Sequence, residues 1–577
     1  MSSKQTTLRP EGLTRRSVFR RMTGAAGFAA LAGCQVSRPG LEQAAPDEAV
    51  FGWGVASGDP TRSSVILWTR AVPRNPAVAT LELVYELAED PDFRQVLQAG
   101  TVRTSGARDY TAKVDVGDLQ AGQTYYYRFR AGDVFSATGR TRTLPADDSQ
   151  PVNIALASCA NYPSGFYNAY REISKIENLD AVVHVGDYIY EHAAGQYDGA
   201  VGERLGRVHV PANEIVTLED YRARLAQYRE DEDLQAAHAH APFITVWDDH
   251  ETANNSWQEG ASGHDPGSEG NWQARRDVAL QAYFEWLPMR DPAPGAARER
   301  LNRVYDFGTI ASLIVIETRL TGRDQQLSYE HDMPLREDGT PDIEAFENTV
   351  LANPDRSMMG HAQEAWFADA LQQSRARGQQ WQVIANQTVM ARMRTPDFMT
   401  ILPADIVEPA LAGGGYVSGW LQRSALGLPV GLDSWDGYPA ARDRFYDAAL
   451  AADANLVVLS GDSHMFWAND LHRPGTESLV GIEFASGSIT SPGGYGYIAD
   501  TQEFYDTVEH ALVEKNPDVQ HANVDQHGFI HITLTRESTR ARYIAVSTIT
   551  DRQYEAICFL DVTAVPKSGL ELTRQKT

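Results

Sequence analysis

The sequence predicts two architectures in series: a small all-β sandwich, then a larger α/β domain. Three observations predict this. The 577 residues exceed what one ordinary core organises. Between Phe51 and Thr143, short alternating runs are separated by turn signals. From Pro151 onward, short apolar runs end in polar clusters and alternate with helical stretches.

Each run fits its place. In the first region Ser64–Arg70, Leu81–Leu87, Lys113–Val116 and Tyr125–Arg130 are rich in β-branched and aromatic residues. Their spacing suggests an immunoglobulin- or fibronectin-like sandwich over residues 51–145. Leu144–Asp148 reads as the linker out of it. The second region, residues 150–565, holds the buried runs Val152–Ala157, Ala181–Val185, Phe243–Trp247, Leu313–Ile316, Trp381–Ile384 and Leu456–Leu459. Long insertions at about 192–240, 258–272 and 392–442 read as irregular loops of the kind that wall active sites.

The first 34 residues read as an address. Thr14–Arg20 resembles the twin-arginine export motif, an apolar small-residue run follows, and Leu31-Ala32-Gly33-Cys34 resembles a lipobox. Cys34 would then carry the lipid that anchors the chain to a membrane after passage through the twin-arginine machinery. Residues 35–50 form a Pro/Ala/Gln-rich tether. Loss of residues 1–33 removes six basic residues and one acid. The chain, already at net charge −26, becomes more acidic. That field repels nucleic-acid backbones, so nucleic acid is not an expected partner. It suits divalent cations outside a cell. Of the remaining cysteines, Cys159 and Cys558, an oxidising compartment would permit a pair.

Four buried runs end in metal-capable residues, and ligands of open α/β sheets gather at carboxyl ends of strands. The first end is Ala157-Ser158-Cys159, where the thiol is either a small buried hydrophobe or a thiolate ligand. The second is Gly186-Asp187-Tyr188-Ile189-Tyr190-Glu191, either a strand-to-helix turn or a bridging carboxylate with a phenolate three residues on. The third is Trp247-Asp248-Asp249-His250-Glu251, with Asn254-Asn255 beyond it. Such a polar cluster after a buried strand is costly unless used. The fourth is Ser460-Gly461-Asp462-Ser463-His464, whose Asp462 and His464 project to one side of an extended loop.

Taken in this order, the blocks resemble the calcineurin-like metallophosphoesterases, with their GDxx[DY], GN-H-[DE] and GHxH signatures. GDYIY matches the tyrosine form found in purple acid phosphatases. Three departures are informative: Cys159 replaces the first aspartate, Asp249 an asparagine and Asp462 the first histidine. They resemble the PhoD-type alkaline phosphatases and phosphodiesterases. The likeness extends through Gly54–Pro60, Ile316–Arg319 (with Glu317 where the family usually has aspartate), Glu483–Ser488 and the blocks ASCANYPSGFYNAY and VWDDHETANN.

The resemblance implies a metallophosphoesterase-type α/β sandwich with an iron–calcium site. One cation would take Cys159, Asp187, Tyr190 and His464, a set suited to iron(III), Fe3+. The other would share Asp187 and add Asp249, Asp462 and Asn386, an oxygen set suited to calcium, Ca2+. The pair would neutralise phosphate oxygens and activate water or an oxide for in-line attack. His250, oriented by Glu251, would protonate the leaving oxygen, and Asn255, Arg319 or Arg323 would contact the phosphate. The expected activity is hydrolysis of phosphate monoesters and diesters by an exported alkaline phosphatase. A phospholipase D-like phosphodiesterase, a non-catalytic metal-stabilised surface lipoprotein and a two-zinc site are the alternatives.

Overall fold

The computed structural model describes residues 49–573, apart from 149 and 477. The twin-arginine segment, Cys34 and nearly all of the tether lie outside the described residues. No helix among the described residues is long and apolar enough to cross a membrane. Cys159 and Cys558 are free thiols.

The core of the larger region is two facing sheets. One has the order Arg303–Phe307, Ala311–Val315, Trp381–Ala385, Leu456–Ser460, Leu479–Ala485, Phe466–His472, Val519–Asn523. Its central strands are parallel and buried on both faces. Side chains alternate across a strand, so Leu313, Val315, Val383, Val457 and Leu459 pack toward the other sheet. Ile314, Ile384 and Val458 pack outward with Phe367 of helix His361–Ala376 and Phe445 of helix Pro439–Ala451.

The other sheet places Val152–Ala157, Ala181–His184 and Phe243–Thr245 side by side in parallel, flanked by the antiparallel strands His527–Leu534, Thr539–Val546 and Ala556–Ala564. Beyond Phe243–Thr245 it continues into the N-terminal region through Val55–Gly58, Val65–Arg70 and Thr111–Val116. The junction is one residue pair, Phe243 opposite Gly58. A Cβ at Gly58 would collide with the carbonyls of Phe243 and Pro288, so only glycine permits the approach. A second N-terminal sheet, Gly139–Arg142, Thr124–Ala131, Thr80–Ala88 and Val96–Ser105, closes over these three strands. Val55, Val65, Leu67, Leu87, Tyr127 and Phe129 fill the space between.

The insertions read as irregular contain helices. Leu218–Arg229 starts with a capping box, in which Thr217 Oγ1 accepts from Asp220 N and the Asp220 carboxylate accepts from Thr217 N. Glu232–His240 is capped by Asp231. The stretch 392–442 carries helices Ala404–Gly413 and Gly415–Ser424.

Candidate active site

The four strand ends converge. Cys159, Asp187, Asp462 and His464 all have left-handed backbones, with φ of 59°, 56°, 61° and 58°. Non-glycine residues in this region carry about 1–2 kcal/mol of strain each. Four such residues in one cluster mark a site whose side chains are aimed. The loops are locked together: Cys159 N donates to Gly186 O at 3.1 Å, and Ala160 N to Asp187 O at 2.9 Å. At Gly186, φ is 113° and a Cβ would strike Asp248, so glycine lets two of the ligand-bearing loops touch.

Ligand atoms of Cys159, Asp187 and His464 lie within 4.8 Å of one another, as do those of Asp187, Asp249 and His250, and of Asp248, Asp249 and Asp462. Asp187 and Asp249 each belong to two of these groups, so either carboxylate would be shared if two cations were held here. Tyr190 Oη donates to Asp187 Oδ2 at 2.9 Å and lies 3.2 Å from His464 Nε2. His464 Nδ1 sits 2.9 Å from Pro492 O. Donation to that carbonyl fixes the tautomer and leaves Nε2 as a lone pair facing the cluster. Burial keeps this imidazole neutral, its pKa pushed down to about 4.

The donor set is short of positive charge. Burial, reinforced by Asp187, pushes the Cys159 thiol well up. Burial also raises Asp187 and Asp248, and pushes Asp462 up to about 6. The buried Arg319 must serve Asp248, Asp433 at 2.7 Å and Asp462 at 3.3 Å. Buried carboxylates beside a thiol and a phenol call for cations, and the residues present fit them.

Three expectations are corrected. Glu251 does not orient His250. Its carboxylate accepts from the backbone of Asp187 at 3.1 Å, Tyr188 at 2.7 Å and Asp248 at 2.9 Å, tying two ligand loops together. Neighbouring side chains diverge, so the residue after His250 points elsewhere. The partner of His250 is Glu191, with Oε2 2.6 Å from Nδ1. Burial alone would lower the His250 pKa, but Glu191, Asp249 and Asp187 hold it well above the usual imidazole range. Its ring stacks on Tyr190 at 4.3 Å.

Asn386 is the second correction. Its Oδ1 accepts from Trp435 Nε1 at 3.0 Å, while Nδ2 donates to Thr388 O and to Ser460 Oγ at 3.0 Å. Protein groups engage both ends of the amide, which braces two strand ends instead of serving as a ligand. The third concerns the arginines. Arg319 is held by the ion pairs above, and Arg323 grips Asp433 at 2.5 Å. They balance and position carboxylates, and neither guanidinium is free for phosphate. Asn255, with φ of 51°, donates its backbone N–H to Asp249 Oδ2 at 2.6 Å. Its side chain lines a cavity of about 850 Å³ with Gln326, Tyr329, Trp420, Arg423 and Asp433.

Sequence reasoning gave no role to Glu191, Asp248, Tyr197 or Asp433. Glu191 stands at the end of the GDYIYE block, and that position was its available signal. Tyr197, stacked on Tyr190 with its Oη 3.3 Å from His464 Nδ1, lies inside an insertion with no motif.

The chain is similar to known proteins. Residues 154–543 match the family model PhoD-like phosphatase, and residues 34–145 match PhoD-like phosphatase, N-terminal domain. Alkaline phosphatase D of Bacillus subtilis (strain 168) is 34% identical over 518 residues, 87% of this chain and 78% of that protein. The solved structure of PhoD is 32% identical and covers 92% of this chain and 93% of its own, with a TM-score of 0.76. Purple acid phosphatase PPD1 from yellow lupin (Lupinus luteus) seeds is 11% identical over 89% of this chain and 75% of its own, with a TM-score of 0.49. The fold is the expected metallophosphoesterase-type sandwich with an all-β N-terminal region. With family models spanning both regions and a relative aligned over most of its length, the chain belongs to the PhoD-like phosphatase family.

Proposed function

We propose that this protein is an exported, metal-dependent alkaline phosphatase that hydrolyses phosphate monoesters and diesters at an iron–calcium site. The observation that carries the reading is a buried cluster of anionic donors, two groups of which share Asp187, beside the His250–Glu191 pair. Cys159, Asp187, Tyr190 and His464 offer thiolate, carboxylate, phenolate and imidazole, which suit iron(III). Asp187, Asp248, Asp249 and Asp462 offer oxygens, which suit calcium better than a second zinc. When bound, the cations would supply Lewis acidity toward the phosphate and toward water.

The protein's own residues do the rest. His250, kept protonated by Glu191, holds a proton for the leaving oxygen. Arg319 fixes the carboxylates of Asp248 and Asp462 in place, and Asn255, at the cavity wall, is placed to offer its side-chain amide to the ester. Family membership in a group of phosphatases sets aside the non-catalytic lipoprotein reading. Export through the twin-arginine route and a lipid anchor at Cys34 belong to the same proposal, because they place the enzyme among external esters and cations.

A phospholipase D-like diesterase is a second reading. An apolar cavity of about 250 Å³, lined by Val417, Trp420, Val430, Met465, Tyr495 and Ile498, includes the residue that follows His464 and would take an apolar ester arm. The test is hydrolysis of p-nitrophenyl phosphate and bis(p-nitrophenyl) phosphate at alkaline pH, before and after a calcium chelator and with calcium restored. Turnover that disappears and returns supports the reading, and the ratio of the two rates ranks monoester against diester. Inert esters in fully metallated protein refute it. A visible absorption band lost in Tyr190→Phe identifies the iron(III) phenolate.

A further inference from the structure

Helix Gly415–Ser424 borders the 850 Å³ cavity with Gly415, Gly419 and Arg423, spaced four residues apart on one face. Arg423 is half-buried and has no ion pair or side-chain hydrogen bond among the described residues. The chain carries a net charge of −26, so a cation left without an acidic partner stands out. The acids of the cavity do not satisfy it: Asp433 is held by Arg319 and Arg323, and Glu330 stands at the exposed rim.

Gly419 makes room for the guanidinium. A Cβ there would lie 3.1 Å from Arg423 Nη1, so the side chain folds back along the bare face of the helix. The same cavity reaches Asn255, whose backbone holds Asp249, and Asp433, which holds Arg319. An ester arm that runs from the reacting phosphate past Asn255 into this cavity would therefore meet a planar, five-donor cation. Guanidinium geometry matches phosphate and carboxylate in bidentate fashion.

We propose that Arg423 is a second anion subsite, and that the preferred substrates are phosphate esters carrying a further phosphate or carboxylate on the arm that fills this cavity. The inference rests on the phosphoesterase reading above and names its substrate class. A charge-assisted contact of this kind is worth about tenfold or more in affinity.

The test compares two chromogenic diesters that differ by one distal phosphate: thymidine 5′-(p-nitrophenyl phosphate) and its 3′-phosphorylated counterpart. In the metal-loaded wild type, kcat/KM is expected to be about tenfold higher for the phosphorylated ester, mainly through KM. Arg423→Gln should bring the ratio of the two close to one, Arg423→Lys should keep part of it, and Gly419→Ala should erode it by crowding the guanidinium. Equal kcat/KM for both esters in the wild type, or an unchanged ratio in Arg423→Gln, overturns the subsite. So does rejection of both diesters by a protein that still hydrolyses p-nitrophenyl phosphate. If p-nitrophenyl phosphate is inert as well, the esterase reading itself falls.

Discussion

Replacing Glu251 with alanine removes the acceptor of three buried backbone N–H groups, on Asp187, Tyr188 and Asp248. Glu251 is 2% exposed, so water has little access to replace it. An unsatisfied buried donor costs about 1–3 kcal/mol. Three of them, with partial relaxation, amount to about 3–6 kcal/mol. An unfolding entropy of about 2 cal/mol/K per residue makes each kcal/mol worth roughly 1 °C in a unit this large. The melting temperature should therefore fall by about 3–6 °C when variant and wild type are compared at equal free metal. Because the freed amides belong to the loops bearing Asp187 and Asp248, bound metal should fall as well. Glu251→Gln keeps an oxygen for some of the donors and should fall between the two. Thermal denaturation and elemental analysis read both effects. A Glu251→Ala protein that melts with the wild type and holds full metal, yet has lost turnover, would refute the reasoning and return Glu251 to a direct partnership with His250.

Other perturbations separate the remaining roles. His250→Asn should lower kcat by about 10²–10⁴-fold with metal content retained, and Glu191→Gln should lower it by less. A loss of metal in either variant would make the pair structural. Arg319→Met leaves buried carboxylates uncompensated and should destabilise the protein by about 3–5 kcal/mol, measured as the fall in melting temperature. Glu509, on helix Gln502–Lys515, where it accepts from Asn523 and Val524, is a pH-dependent case. Burial pushes its pKa up to about 7 from 4.5, so the folded state holds the proton more tightly than the unfolded chain. Stability is lost as pH rises from about 4.5 to 7 and is flat above. Glu509→Gln should therefore gain about 1–2 kcal/mol relative to wild type between pH 4.5 and pH 8, after allowance for solvent screening. A melting-temperature difference that stays constant across this range would contradict the assignment.

The ligand ends were legible because chemistry and topology coincide there. Cys159, Asp187, Asp249, Asp462 and His464 each follow a strand whose last residues are buried, where polar residues are out of place unless used. Partnerships across long sequence separations were not legible. Nothing near His250 indicates that its acid lies 59 residues earlier. Nothing in the 392–442 insertion marks Asp433 as the anchor of two arginines. The strands His527–Leu534 and Thr539–Val546 escaped because His531, Arg540 and Arg542 interrupt their apolar runs, yet the ladder with Val152–Ala157 fixes them as sheet. Asn386 was misread because its position after a buried strand imitates a ligand, whereas its amide is consumed by Trp435, Thr388 and Ser460.

The single pairing of Phe243 with Gly58 changes what the N-terminal region is for. Without Val55–Gly58, the strand Phe243–Thr245 would have one bare backbone edge, and that strand leads into Asp248, Asp249 and His250. Bare edges recruit other chains. A truncation beginning near residue 150 would thus produce a sticky, self-associating fragment instead of a smaller working enzyme. The N-terminal strands cover this edge at Phe243, so a working enzyme is expected only when both family-matched regions are kept together.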